Sequence, residues 1–410
     1  MKTNISTKLL WLALGAFAIG TEGYAIAGLL PTIANDVHVS VAVAGQLITA
    51  FALAFAFGSP LLAVATGGFE RKRLLLVAIG IFGVFNILAA FAHTYALLFA
   101  ARIGLALAAG TFMPAASAYA VAISPAERRG RALAIIYVGL TVATLVGVPL
   151  GVLVGARFGW RCIFLGAAGL SFTTMLGIAL ALAPSQGARS ATLADRFAVA
   201  RRPDVLGVLL VTVFFMAGAF SIYTYIAPFL QTSAHLSGNA VAIVLFLFGL
   251  GATIGNLAGG ALADRVGPPR VLKTVLFGLA VLFSALSLAA MVFPPEIARW
   301  IVVPIIGLWG LVGFSAPSAQ QSRLAAIDPR LAPVTLSLNA SAGYIGVSLG
   351  AVIGSVAVAH HVIADVGWLG AASELIAFSI LIFSLRARTG FNGGSRAEEI
   401  GPLSPVTNQS

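Results

Sequence analysis

The chain has 410 residues, of which 60% are hydrophobic and only 9% charged, too little charge to cover the surface of a soluble domain of this size. The net charge of +11 does not mark a nucleic-acid binder, because the basic residues fall in short clusters between apolar runs, as membrane topology requires. Cys162 is alone, which excludes a disulfide framework, and His38, His93, His235, His360 and His361 fall at loop ends without metal-ligand spacing.

A hydrocarbon core about 30 Å thick is crossed by roughly 20 apolar residues in helix. Twelve such runs are predicted: 9–31, 43–66, 74–93, 96–119, 132–155, 162–183, 205–230, 240–263, 271–292, 298–320, 332–358 and 367–385. Every backbone amide inside lipid needs an internal partner, so these runs are helices. The fold class is an all-α membrane protein with 12 transmembrane helices. The first run resembles a signal peptide, with Ala25-Ile26-Ala27 as a cleavage-like site. It is longer than an ordinary signal core, and cutting it would leave an odd number of spans, so it is read as a retained helix.

Orientation follows from Lys and Arg. One set of loops, with both ends of the chain, collects 20 of the 24 basic residues, including Arg71-Lys72-Arg73 and Arg128, Arg129 and Arg131. The opposite loops hold Arg157, Arg161 and Arg299. The positive-inside rule places both termini in the cytoplasm, and the expected location is a bacterial inner membrane.

Ordered repeats divide the chain. Gly147-Val-Pro-Leu-Gly151 returns as Gly346-Val-Ser-Leu-Gly350, and Gly110-Thr-Phe-Met-Pro114 as Gly313-Phe-Ser-Ala-Pro317, at shifts of 199 and 203. Pro31 and Pro228 lie 197 apart, each expected to close the first helix of its half. The expected organisation is a six-helix bundle over 1–183, a polar cytoplasmic linker over 184–204, a second six-helix bundle over 205–386 and a disordered tail over 387–410. Parallel repeats of this kind put a cavity between the halves and work by rocking.

The eighth span ends in Gly260-Ala-Leu-Ala-Asp264-Arg265-Val-Gly267. Glycine permits close helix approach, and Asp264 and Arg265 are placed to act as a latch on the inner gate. The matching loop of the first half has Gly67 where Asp would stand and Glu70 where a later glycine would stand; only the basic cluster beginning at Arg71 survives. Gly139, Ala143, Gly147 and Gly151 make a small-residue face on the fifth span, where Pro149 removes a backbone donor and invites a kink. The eighth-span motif closely resembles the loop signature of the major facilitator superfamily. The fifth-span motif resembles the antiporter motif of its exporters, and the departures in the first loop resemble sugar and drug exporters of the arabinose efflux permease type. Thr21-Glu22-Gly-Tyr24, Gly159-Trp160-Arg161 and Tyr223-Thr-Tyr225-Ile-Ala-Pro228 extend the resemblance over nearly the whole membrane region. It implies the fold with two six-helix pseudo-repeats, and the twelve-helix drug:proton antiporter group.

Three ionisable residues lie clearly within spans: Glu22, Arg102 and Glu374. A charge at mid-membrane costs about 2.5–3.5 kcal/mol on insertion scales, so each needs a cavity or a partner. At 1.5 Å per residue, Glu22 and Arg102 lie roughly 13 and 10 Å deep from the same side, and are expected to meet. Glu22 is the expected proton acceptor and Arg102 its regulator, a static buried ion pair being the alternative. The run Arg102, Ala106, Gly110 resembles the family's helix-four motif associated with proton transfer. Glu374 is expected near the outer interface, snorkelling or packing. Tyr24, Gln46, Tyr223, Tyr225, Asn256 and Asn339 are candidate cavity residues, although such side chains equally stitch helices together.

The expected function is export of a small organic molecule by proton antiport. No Gly-x-x-x-x-Gly-Lys-Ser/Thr pattern occurs, so the proton gradient rather than ATP supplies the energy, with no cofactor or metal and no enzyme chemistry. Proton-coupled or passive import, and a non-transporting sensor, are the competing readings. The expected partners are the substrate, protons and the bilayer, with the protein a monomer.

Overall fold

The computed structural model describes residues 5–187, 191–328 and 330–398. Among them it is entirely helical, and twelve helices are long and apolar enough to cross a membrane. Spans one to six are α1 (Ile5–Gly28) continued by α2 (Leu30–Asp36), α3 (Val41–Ala65), α4 (Arg71–Ala90), α5 (Tyr95–Ile123), α6 (Arg129–Val142) with α7 (Val148–Phe158), and α8 (Arg161–Ala181). The short α9 (Leu193–Ala200) follows. Spans seven to twelve are α10 (Pro203–Tyr223) continued by α11 (Ile226–Ala234), α12 (Asn239–Val266), α13 (Pro268–Val292), α14 (Pro295–Gly313) with α15 (Ala316–Ala325), α16 (Ala332–Ala359) and α17 (Val366–Glu398).

The ends of these helices follow from local chemistry. Ser40 and Thr94 cap α3 and α5, accepting from the amides of Val43 and Leu97. Proline opens α10, α13 and α14, where its missing N–H would have had no partner. The same rule corrects the reading of Pro31 and Pro228. Neither closes a helix; the chain breaks just before each, at Leu29 and at Thr224–Tyr225, and both prolines sit in the first turn of a new segment.

In the fifth span Pro149 leaves a carbonyl without its donor one turn earlier, and the helix widens into a π turn over Ala143–Gly147. The small-residue face of this span lies against α1: a side chain at Gly139 would strike the Ala13 carbonyl, and one at Gly147 would strike Thr21. Gly346 and Gly350 hold α16 against α10 in the same way, against the backbone of Val213 and Ala217. The repeat read in the sequence is thus a repeated helix crossing.

The halves meet along α3 and α16 and where α12 crosses the π turn; there Gly249 lies against the backbone of Thr144 and Leu145. At the end remote from the basic loops, Leu30, Ala34, Ala44 and Tyr225 form a buried cluster between the halves.

Two expectations about the connecting segments change. The stretch 184–204 contains α9, opened by a capping box in which Thr192 and Asp195 satisfy each other's amides. Its Arg196 donates to Ser337 Oγ of α16 at 2.8 Å, and Val199 packs with Val205, Leu209 and Ala342, so it docks on the second half. The tail is not disordered from 387: α17 runs on to Glu398, since extending an existing helix needs no new nucleus. Residues 399–410 lie outside the described residues.

The altered first loop has its own clamp. Glu70 Oε1 accepts from the Lys72 and Ser185 amides at 2.8 and 3.1 Å, and Oε2 from the Arg73 amide at 3.2 Å. Arg71 reaches the Ala118 carbonyl and Lys72 the Ala179 carbonyl, tying α4 to α5 and α8 within one half. Burial works to raise the Glu70 carboxyl, but the Ser185, Lys72 and Arg73 amides outweigh it and hold it below the ordinary glutamate value. A depressed carboxyl contributes stability that is present above the ordinary value and lost as pH falls through the depressed one. Melting of the wild type is therefore expected to weaken on acidification, whereas Glu70→Gln starts less stable at neutral pH and loses less. Equal pH profiles for the two would contradict the clamp.

Candidate functional site

The two central charges of the first half meet. Arg102 Nη1 of α5 donates to Glu22 Oε1 of α1, and both side chains are buried, at most 1% exposed. The Arg102 Nε donates to the Leu47 carbonyl of α3 at 3.4 Å, and its guanidinium lies 4.4 Å from the centre of the Phe51 ring. Glu22 Oε2 and the neighbouring Thr21 hydroxyl have no partner among the described residues. One side of the carboxylate is thus held and the other is left without a donor.

The pair is linked to the second half through rings. Phe55 stacks on Tyr344 of α16 with centroids 3.8 Å apart, and Phe51 lies 6.3 Å from the same ring. Tyr344 therefore rests on the two phenylalanines of α3, one of which carries the arginine. The sequence reading missed it, because a tyrosine in an apolar span carries no sign of which helix it faces.

Two residues past Glu22, Tyr24 turns into a cavity of ≈ 200 Å³ between the halves. Its wall is mostly aromatic: Phe215, Phe220, Tyr223, Phe248, Trp309 and Phe314 join Tyr24, with Met216, Ala219, Gly313 and Pro317 between them. Tyr24 and Tyr223 meet edge to face at 5.9 Å, and Trp309 stands 4.9 Å from Phe248 and 5.1 Å from Phe283. A smaller cavity of ≈ 50 Å³ shares Phe215, Met216 and Pro317 with it and is lined by Thr212, Gln320, Gln321 and Asn339. There Thr212 Oγ1 donates to Asn339 Oδ1 at 2.7 Å, and Gln320 Nε2 donates to the Val208 carbonyl at 2.7 Å. Gln320 Oε1 is buried without a donor. The combined space offers flat apolar faces beside a small hydrogen-bonding end, chemistry that suits an aromatic or amphiphilic solute.

The candidate cavity residues divide. Tyr24 and Tyr223 line the aromatic cavity, and Asn339 lines the smaller one. Tyr225 does not: it is buried in the cluster between the halves at the far end, and its hydroxyl donates to the Ala351 carbonyl at 3.0 Å. The break before α11 turns it away from the cavity. Gln46 and Asn256 line neither space. Trp309, Phe248 and Phe314 went unread because aromatic residues in a span look alike whether they face lipid or a cavity. Gln320 did carry a signal, an amide inside the tenth span, that passed unused.

The motif residues fall at the joints. Gly147 packs against Thr21, next to Glu22, and Gly151 against Ala25, so this face of the fifth span fixes the position of the helix that bears the carboxylate. Pro149 stands beside the π turn that touches α12. Asp264 and Arg265 are exposed and join no ion pair among the described residues, and a Cβ on Gly260 would meet nothing within 4 Å. Gly267 ends α12 at φ 88°, a left-handed turn that favours glycine. Of the two roles expected for Glu374, snorkelling falls away: the side chain is completely buried where α17 packs on α10.

Twelve spans in two repeated halves, with a solute-sized cavity between them and a buried charge pair beside it, have the architecture of a membrane transporter. A model of the Major Facilitator Superfamily matches residues 12–397, and the chain belongs to that family. It is 33% identical over 379 residues to the uncharacterized MFS-type transporter YbcL of Bacillus subtilis (strain 168), covering 92% of this chain and 96% of that one. It is 35% identical over 353 residues to the inner membrane transport protein YdhP of Escherichia coli (strain K12), covering 86% and 88%. A bacterial homologue of the human lysosomal transporter Spinster, solved inward-facing and unoccupied, shares the fold with a TM-score of 0.77 at 18% identity, covering 94% of this chain and 98% of that one.

Proposed function

We propose that the protein is a proton-coupled exporter of small aromatic or amphiphilic molecules in a bacterial inner membrane, with both termini cytoplasmic. The observation that carries this reading is the buried Glu22–Arg102 pair set two residues from the cavity wall at Tyr24. A proton added at the free Oε2 of Glu22 removes the charge that holds Arg102 and loosens α1 against α5. That movement reaches the cavity directly through Tyr24, and reaches the second half through Phe51, Phe55 and Tyr344. Substrate is taken from the cytoplasmic side while the far end is sealed by Tyr225 and its neighbours. Rocking then opens that seal, a proton enters at Glu22, and the return step delivers it inward. The energy source is the proton gradient, without a cofactor, and one chain contains all the parts the cycle uses.

The Asp264–Arg265 loop, exposed and without an ion pair among the described residues, supports an opening on its own side, the basic end that the positive-inside rule assigns to the cytoplasm. The test has two stages. A susceptibility screen of a deletion strain identifies a solute, and inside-out vesicles then report whether an acidic interior drives its accumulation. Accumulation under that gradient is expected. Uptake driven by the opposite gradient would make the protein an importer by symport.

A further inference from the structure

Glu374 has no part in the cycle just described, yet it is the most isolated charge-bearing group in the membrane region. It is completely buried, neither carboxyl oxygen has a hydrogen-bond partner among the described residues, and it joins no ion pair. From Val366 it lies eight residues into α17, about 12 Å along the helix. Its Oε1 stands against the bare backbone of α10: a Cβ built on Gly218 would come within 2.8 Å of it, and within 2.9 Å of the Gly370 carbonyl.

The surroundings contain no charge to balance a carboxylate. From α10 come Gly218, Ile222 and Ser221, whose hydroxyl is spent on the Gly218 carbonyl. On α13, Phe283 packs at Gly370, one turn before Glu374, and Ser287 packs at Gly367, where it donates to the Ala364 carbonyl and accepts from the Trp368 amide. The charged side chains of α10 and α13, Asp204, Arg270 and Lys273, and those of α17 other than Glu374, from Arg386 onward, lie at the basic ends of these helices; α16 carries no Asp, Glu, Lys, Arg or His, and the phenols of Tyr223 and Tyr344 lie toward the aromatic cavity and the Phe55 ring. An isolated carboxylate in such a place is strongly disfavoured, whereas a carboxylic acid is neutral and asks only for one acceptor. The Gly370 carbonyl, one turn earlier on the same helix, supplies an acceptor near the same spot.

We propose that Glu374 is a second proton-binding site, in the second half of the molecule, occupied while α10 and α17 are packed as they are here. The step is a simple protonation: one carboxylate oxygen gains H⁺ and no other bond changes. Its connection to transport runs through α10, whose Phe215, Ala219 and Tyr223 line the aromatic cavity while Gly218 covers the carboxyl. Parting of α10 from α17 would admit water and release the proton. The inference goes beyond the role given to Glu22 and does not depend on it.

Infrared spectroscopy of the full chain in lipid nanodiscs at neutral pH tests this without a substrate. The expected result is a protonated-carboxyl stretching band that is lost in Glu374→Gln and retained in Glu22→Gln. A Glu374→Gln spectrum that keeps the whole band would overturn the proposal. If that variant fails to fold, Gly218→Ala, whose methyl would crowd Oε1, should shift the same band, and an unshifted band would count against the site. Ala219→Phe, which fills the cavity beside Gly218, should also shift it; an identical band would sever the link to transport.

Discussion

Replacing Arg102 by alanine should leave Glu22 as a buried carboxylate with neither oxygen paired, at a cost of about 3–5 kcal/mol, the usual penalty for removing one member of a buried ion pair. The loss should appear as a marked fall in the melting temperature of the purified protein. Three further contacts go with the side chain: the bond to the Leu47 carbonyl, the face of Phe51 and, through Phe51, the seat of Tyr344. The decisive comparison is the double variant Glu22→Gln with Arg102→Met, which removes both charges and keeps similar volumes. It should recover most of the lost stability, since an apolar replacement of a buried pair is often neutral. If the double variant is as unstable as Arg102→Ala alone, packing rather than charge explains the effect.

Trp309→Ala should be the most costly change in the second half. The indole is 3% exposed and stands edge-on to Phe248, Phe283 and Tyr223, with centroids 4.9, 5.1 and 6.2 Å away. Truncating a buried Trp costs about 3–5 kcal/mol, and each aromatic pair lost adds about 0.5–1.5 kcal/mol that a smaller ring partly restores. Trp309→Phe should therefore fall between Trp309→Ala and the wild type in melting temperature. Because this ring also walls the cavity, Trp309→Ala should weaken transport of flat aromatic solutes more than that of aliphatic ones of equal size. Equal losses for both classes would remove Trp309 from the binding surface and leave it a packing residue.

The contrast between Trp309 and Trp300 shows why some of this was legible in the sequence and some was not. Both lie in the tenth span, yet Trp300 is 73% exposed and Trp309 is a cavity wall. Hydropathy reads how far a run extends and not which face of it meets a neighbour. The spans were legible because lipid forces every crossing segment to be apolar and helical. The glycine repeats were legible because close helix approach tolerates few residue types, and Gly147 and Gly346 do the same work on α1 and α10. The meeting of Glu22 and Arg102 was legible from depth alone, since a charge in lipid has few places to go. Depth left Glu374 between snorkelling and packing, because distance from a helix end does not give the direction of a side chain. The breaks at Leu29 and Thr224 escaped as well, because a proline reads equally as a stop and as the first turn of the next helix.

The account rests on Glu22 as the group that exchanges the proton. The most direct measurement is solute movement in proteoliposomes under an imposed pH gradient, comparing the wild type with Glu22→Gln. The wild type should respond to the gradient. Glu22→Gln should lose gradient-driven accumulation while still exchanging labelled for unlabelled solute, because its cavity is intact. Full pH-driven export by Glu22→Gln would contradict the account.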